Sequence, residues 1–130
     1  MNQLSGLLFI FAFLLLDCAG NHAVGQNNLE GKWVHVETKT DTLTFLTVSD
    51  HDYVQLDRGS EMRNGVLRPK NGTGPYHYKI LTDKISLRWT LSASAGYNDY
   101  YFYQSGDSLV IGKFYDLDSK WTKLTFEKLK

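Results

Sequence analysis

Four histidines, one cysteine, two closely spaced carboxylate pairs and a run of aromatics are the residues of this 130-residue chain whose types could carry chemistry. His22, His35, His51 and His77 stand far apart, and no H-E-x-x-H or C-x-x-C pattern supplies them with fellow ligands, so they read as polar positions and no metal site is expected. Asp50 with Asp52 and Asp116 with Asp118 fall in turn-like stretches, where carboxylates bond nearby backbone amides; that role outweighs acid/base catalysis or calcium binding. There is no G-x-S-x-G, no cysteine other than Cys18, and no glycine-rich turn entering a helix. Acyl transfer, zinc hydrolysis and nucleotide binding therefore lack their marks, and the expectation is a non-catalytic protein without a cofactor.

The aromatic run is the most suggestive feature. Tyr100, Tyr101, Phe102 and Tyr103 follow Tyr97, and on an extended strand Tyr100 and Phe102 point one way while Tyr101 and Tyr103 point the other. One pair lines a core. The other forms an exposed patch that either packs across strands or recognises sugar faces and partner surfaces.

Charge narrows the partners. Lys+Arg 14 against Asp+Glu 14 leaves no net charge, which argues against a nucleic-acid binder, while eighteen aromatics (Trp 3, Tyr 8, Phe 7) and 42% hydrophobic content argue against disorder.

The elements that position these residues begin with an address. Leu7 to Leu16 is an uncharged run of ten apolar residues, the length of a signal-peptide core and too short to span a bilayer of about 30 Å. Two processing routes follow. Leu15-Leu16-Asp17-Cys18 resembles the lipobox of bacterial lipoproteins, which implies lipidation of Cys18 and attachment to a membrane; Asp17 departs from the small residue expected there. The other route is cleavage after Ala23-Val24-Gly25 or Cys18-Ala19-Gly20. Residues 1–25 are thus expected to be signal peptide and short tether, and residues 26–130 one domain, exported to the cell envelope, the periplasm or the medium. With a single cysteine no internal disulfide can form.

Beyond Leu29 the hydrophobic period is two. Strands are expected at 32–38, 42–48, 52–57, 61–67, 75–81, 84–91, 99–104, 108–115 and 121–129, with Arg68 to Gly74 as a flexible loop. Ile85, Leu87, Trp89 and Leu91 alternate with Ser86, Arg88 and Thr90, giving one dry face and one wet face. For His35 and His77 the inward face is contested by Val34 and Val36 and by Tyr76 and Tyr78. The fold class is all-β: an antiparallel up-and-down meander of about eight or nine strands. Closing into a barrel removes its exposed edges, and an open sandwich is the alternative.

Leu29-Glu30-Gly31-Lys32-Trp33 resembles the G-x-W signature that opens the first strand of lipocalins, and Asn98-Asp99-Tyr100-Tyr101-Phe102-Tyr103 is similar to that family's T-D-Y-x-x-Y segment. The likeness is to small lipocalin-like domains of exported bacterial proteins. It implies a barrel floored by Gly31 and Trp33, with Lys128 or Lys130 as the basic partner across the tryptophan. The chain is much shorter than a typical lipocalin and stops after the last strand. Two functions are expected from different classes. In the first, Tyr78, Trp89, Phe102 and Trp121 line a pocket for a small apolar or amphipathic ligand. In the second, side chains fill the lumen and the barrel serves as a structural or protein-interaction module of the envelope.

Overall fold

The computed structural model describes residues 29–117 and 119–130; the leader, Cys18, His22, the tether and Asp118 lie outside the described residues. The ten strands are β1 (Gly31–His35), β2 (Thr42–Val48), β3 (His51–Asp57), β4 (Ser60–Arg63), β5 (Val66–Pro69), β6 (Gly74–Ile80), β7 (Lys84–Trp89), β8 (Asn98–Ser105), β9 (Ser108–Gly112) and β10 (Lys123–Lys128). Eight of them close an antiparallel barrel in the order β1-β10-β9-β8-β7-β6-β3-β2, while β4 and β5 pair only with each other. The expected meander is therefore present. Its one interruption is the β4–β5 ribbon, which leaves the sheet after β3 and returns to it at β6.

That ribbon corrects the single strand expected at 61–67. Asn64 and Gly65 have φ of 54° and 78°, the paired left-handed conformations of a type I′ turn, and they fold Met62 onto Leu67. An Asn-Gly pair is a strong hairpin signal, and here it outweighs the strand propensity of its neighbours. Arg68 and Pro69, expected in a loop, belong to β5. The strands are also shorter at several ends. Residues 36–38, 113–115 and 121–122 leave the ladder to form the long loops.

Pleating decides which side chains meet inside. Trp33 pairs with Leu43 and Lys128, Phe45 with Val54, Leu56 with Gly74, Phe102 with Ile111, and Leu109 with Phe126. Each of these large apolar side chains contributes about 1.5–3 kcal/mol on full burial. The two ends of the cylinder differ. One end, the floor, carries tight turns at 49–50, 81–83 and 106–107, with Leu29 and the C-terminal residues alongside. The other end, the mouth, carries loops 36–41, 90–97 and 113–122 and the ribbon.

Candidate functional site

At the floor, Trp33 is fully buried and its indole Nε1–H donates to the Leu29 carbonyl at 2.9 Å, drawing the incoming chain across the base of the barrel. Lys128, opposite Trp33 on β10, lays its Nζ 5.5 Å from the indole centroid, a cation–π geometry. Gly31 makes room for it: a Cβ there would stand 3.2 Å from Lys128 Cε, on a backbone whose φ of 120° already disfavours any side chain. Lys130 instead pairs with Asp107 at 3.1 Å on the surface.

The lumen is filled. Trp33, Leu43, Phe45, Val54, Leu56, Ile85, Leu109, Ile111, Leu124 and Phe126 are each 0–2% exposed and pack into one apolar core. The four residues expected to line a ligand pocket all belong to or pack against this one core. Phe102 is part of the buried core, Tyr78 stands edge-on to Phe45, Trp89 packs against Tyr76, and Trp121 stands edge-on to His35. Burial pushes the Tyr76 and Tyr78 hydroxyls up to about 12, helped by Tyr100 in the first case and by Asp52 and Glu30 in the second.

The mouth holds two buried polar groups, His35 and Asp41. His35 faces inward, contrary to its reading as an ordinary polar position: it is 1% exposed and packs against Phe126 and Trp121. The Thr38 N–H donates to its Nδ1 at 3.1 Å, an arrangement that fits the neutral imidazole with its proton on Nε2. Burial lowers its pKa from 6.5, opposed by Asp41, Glu37 and Asp116. Arg58, at the end of β3, ties the mouth together. Its Nε lies 3.5 Å from the buried Asp41 carboxylate, one terminal nitrogen lies 3.6 Å from Asp116, and the other donates to the Asn71 carbonyl at 2.7 Å. Its guanidinium also lies 5.0 Å from the centroid of the Tyr115 ring. The Tyr115 hydroxyl is buried beside Asp41 without good hydrogen-bond geometry; burial first, then that carboxylate, raises its pKa. Asp116, read as a turn former, has φ of 55°, and its carbonyl accepts the Ser119 N–H at 3.0 Å. An open cleft of about 450 Å³ runs along this loop, lined by Asn71, Gly72, Phe114, Tyr115, Asp116 and Leu117. No spacing in the sequence announces this cluster, because Asp41, Arg58 and Asp116 come from three separate connections.

The outer wall presents the other half of the aromatic run. Tyr101 and Tyr103 are 42% and 56% exposed, as the alternation requires once Phe102 is inside. Lys123 Nζ lies 3.9 Å from the Tyr101 centroid, and Lys79 Nζ and the Arg88 guanidinium lie 4.3 and 5.6 Å from that of Tyr97. His77 also faces outward and stacks at 4.6 Å on Tyr53, with His51 at 6.0 Å. Its pKa is lowered by partial burial, Arg88 and His51. Asp50, at φ of 64°, serves the β2–β3 turn, and Asp52 accepts a hydrogen bond from the Thr47 hydroxyl at 2.9 Å. Among the described residues, no three His, Cys, Asp or Glu side chains converge as a metal site.

The fold and its surfaces thus define a packed eight-stranded antiparallel barrel with an aromatic, cationic outer wall. No protein-family model, curated protein or solved structure matches the chain.

Proposed function

We propose that this protein is an exported, non-catalytic barrel of lipocalin-like design whose interior is structural and whose outside does the recognising. The observation that supports the reading is the packing of the interior, where ten apolar side chains are 0–2% exposed. An eight-stranded barrel is only just wide enough for side chains or one small ligand, and here side chains take the space. Export rests on the apolar run Leu7 to Leu16. Attachment through a lipidated Cys18 would hold the barrel at a membrane, and the intact mass of the mature protein separates a lipid-bearing Cys18 terminus from one at Gln26.

The test of the main reading is a titration of the mature protein with a fluorescent fatty-acid probe, read by quenching of Trp33, Trp89 and Trp121. No saturable change is expected. A stoichiometric complex that quenches the buried Trp33 would overturn it. The cleft of about 450 Å³ at the mouth favours one second reading, a small amphipathic ligand held against Phe114 and Leu117. In that case the probe saturates without touching Trp33 emission, and Leu117→Asp abolishes it.

A further inference from the structure

The outer wall formed by β6, β7, β8, β9 and β10 has an order that the register makes explicit. Lys84 pairs with Tyr101, and Tyr101 reaches Lys123 across the row occupied by Gly112. Gly112 has no side chain to separate them; a Cβ there would stand 3.1 Å from the Tyr101 backbone nitrogen and 3.5 Å from its Cβ. Tyr101 is thus bracketed by Lys84 on the neighbouring β7 and by Lys123 on β10, one strand further round. Tyr97 repeats the arrangement with Lys79 and Arg88. Both tyrosines are about two-fifths exposed. Tyr97 immediately precedes β8 and Tyr101 lies on it, so four residues of chain hold them at most about 14 Å apart.

None of these four cations, Lys79, Lys84, Arg88 and Lys123, forms an ion pair with a described residue. Between the two stations lies a single carboxylate, Asp99, opposite Ser86. A cation resting on a ring face keeps N–H donors for a further acceptor, and an uncompensated group of them attracts negative charge. The wall therefore asks for a ligand that is anionic at intervals and not continuously. It also asks for hydroxyl groups that Asp99 can bond, and for flat apolar faces to lie against tyrosine.

We infer that this wall binds an acidic polysaccharide: a glycan with one carboxylate or other acid group every few sugars, laid along β8 so that successive acid groups meet the Tyr97 and Tyr101 stations. The inference rests on the outer-surface reading above and supplies its partner. Continuous polyanions fit less well, because Asp99 opposes charge placed between the stations. A neutral glycan leaves the cations unanswered.

Calorimetry of the mature protein with hyaluronan oligosaccharides, which carry one carboxylate per disaccharide, tests this directly. Saturable binding at low ionic strength is expected, weakening as salt screens the charges. The pairs Lys79→Ala with Arg88→Ala and Lys84→Ala with Lys123→Ala should each weaken it about tenfold, with the melting temperature unchanged because all four residues sit on the surface. Asp99→Asn should not abolish it, and dextran should not bind. The inference is overturned if hyaluronan does not bind at low salt, if both double variants bind as the parent does, or if polyglutamate binds as tightly as hyaluronan. Those outcomes leave the packed-lumen reading intact, which falls only to the fatty-acid titration.

Discussion

Replacing Arg58 with Met removes the charge that answers Asp41 while keeping most of the apolar stem. The Asp41 side chain is only 4% exposed and that of Arg58 13%, so neither charge is compensated by bulk water. Breaking a buried pair by deleting one partner costs about 3–5 kcal/mol. The contacts here are long, 3.5 Å to Asp41 and 3.6 Å to Asp116, and Asp116 is 31% exposed, so the lower end applies. A loss of about 3 kcal/mol is a large share of the roughly 5–15 kcal/mol that holds a domain folded, and lowers Tm by roughly 12–24 °C at this size. The assay is urea unfolding followed by tryptophan emission for the parent, Arg58→Met, and Arg58→Met combined with Asp41→Asn. Because deleting both charges spares the isolated buried carboxylate, the double variant should recover at least half of the loss. An Arg58→Met protein within about 1 kcal/mol of the parent, or a double variant no better than the single, would refute the argument that Arg58 is the clamp of the mouth.

Three further outcomes follow from the geometry. His35 prefers to be neutral when folded, so its pKa is depressed relative to the unfolded chain; its contribution is fully present above about pH 6.5 and is lost as pH falls through its lowered folded value. Urea midpoints measured from pH 8 to 5 should therefore fall less for His35→Phe than for the parent. Gly74→Ala places a Cβ 2.7 Å from Trp89 Cη2 on a backbone at φ of 148°, and should cost about 2–3 kcal/mol with altered tryptophan emission; a neutral effect would show that Trp89 moves freely. Replacing residues 60–69 with a short glycine-containing turn should leave the barrel's circular dichroism intact, since β3 and β6 already pair with each other, and loss of the cooperative transition would contradict that.

The barrel was legible in the sequence because its evidence is local. Alternation in Ile85, Leu87 and Trp89 and the paired left-handed residues at Ser49 and Asp50 each state a strand or a reversal within a few positions. Faces were legible only where one residue of a pair was plainly apolar. His35 was ambiguous because Val34 competes for the interior, and Trp33, two residues earlier on the same face, decides the matter by its volume. The ribbon was missed because Asn64-Gly65 sits inside a run that otherwise resembles one strand. The mouth cluster could not be read at all: Asp41, Arg58 and Asp116 are separated in the chain by 17 and 58 positions, and only closure of the cylinder brings them together. The same holds for the bracketing of Tyr97 and Tyr101, which depends on cross-strand register and on Gly112.

In the cylinder every strand has a neighbour on both sides, so its amides and carbonyls offer nothing to a foreign chain. The little two-stranded arm is different, with β4 and β5 each bonded on one side alone. If another polypeptide ever adds to this protein by backbone pairing, it does so there, and the arm is defended accordingly. Each of its strands is only four residues long, Glu61 and Arg63 put charge on one border, and Pro69 withholds a donor from the other. Exposed Met62 and Leu67 remain as its sticky spot, so loss of those guards is where unwanted strand pairing between copies would begin.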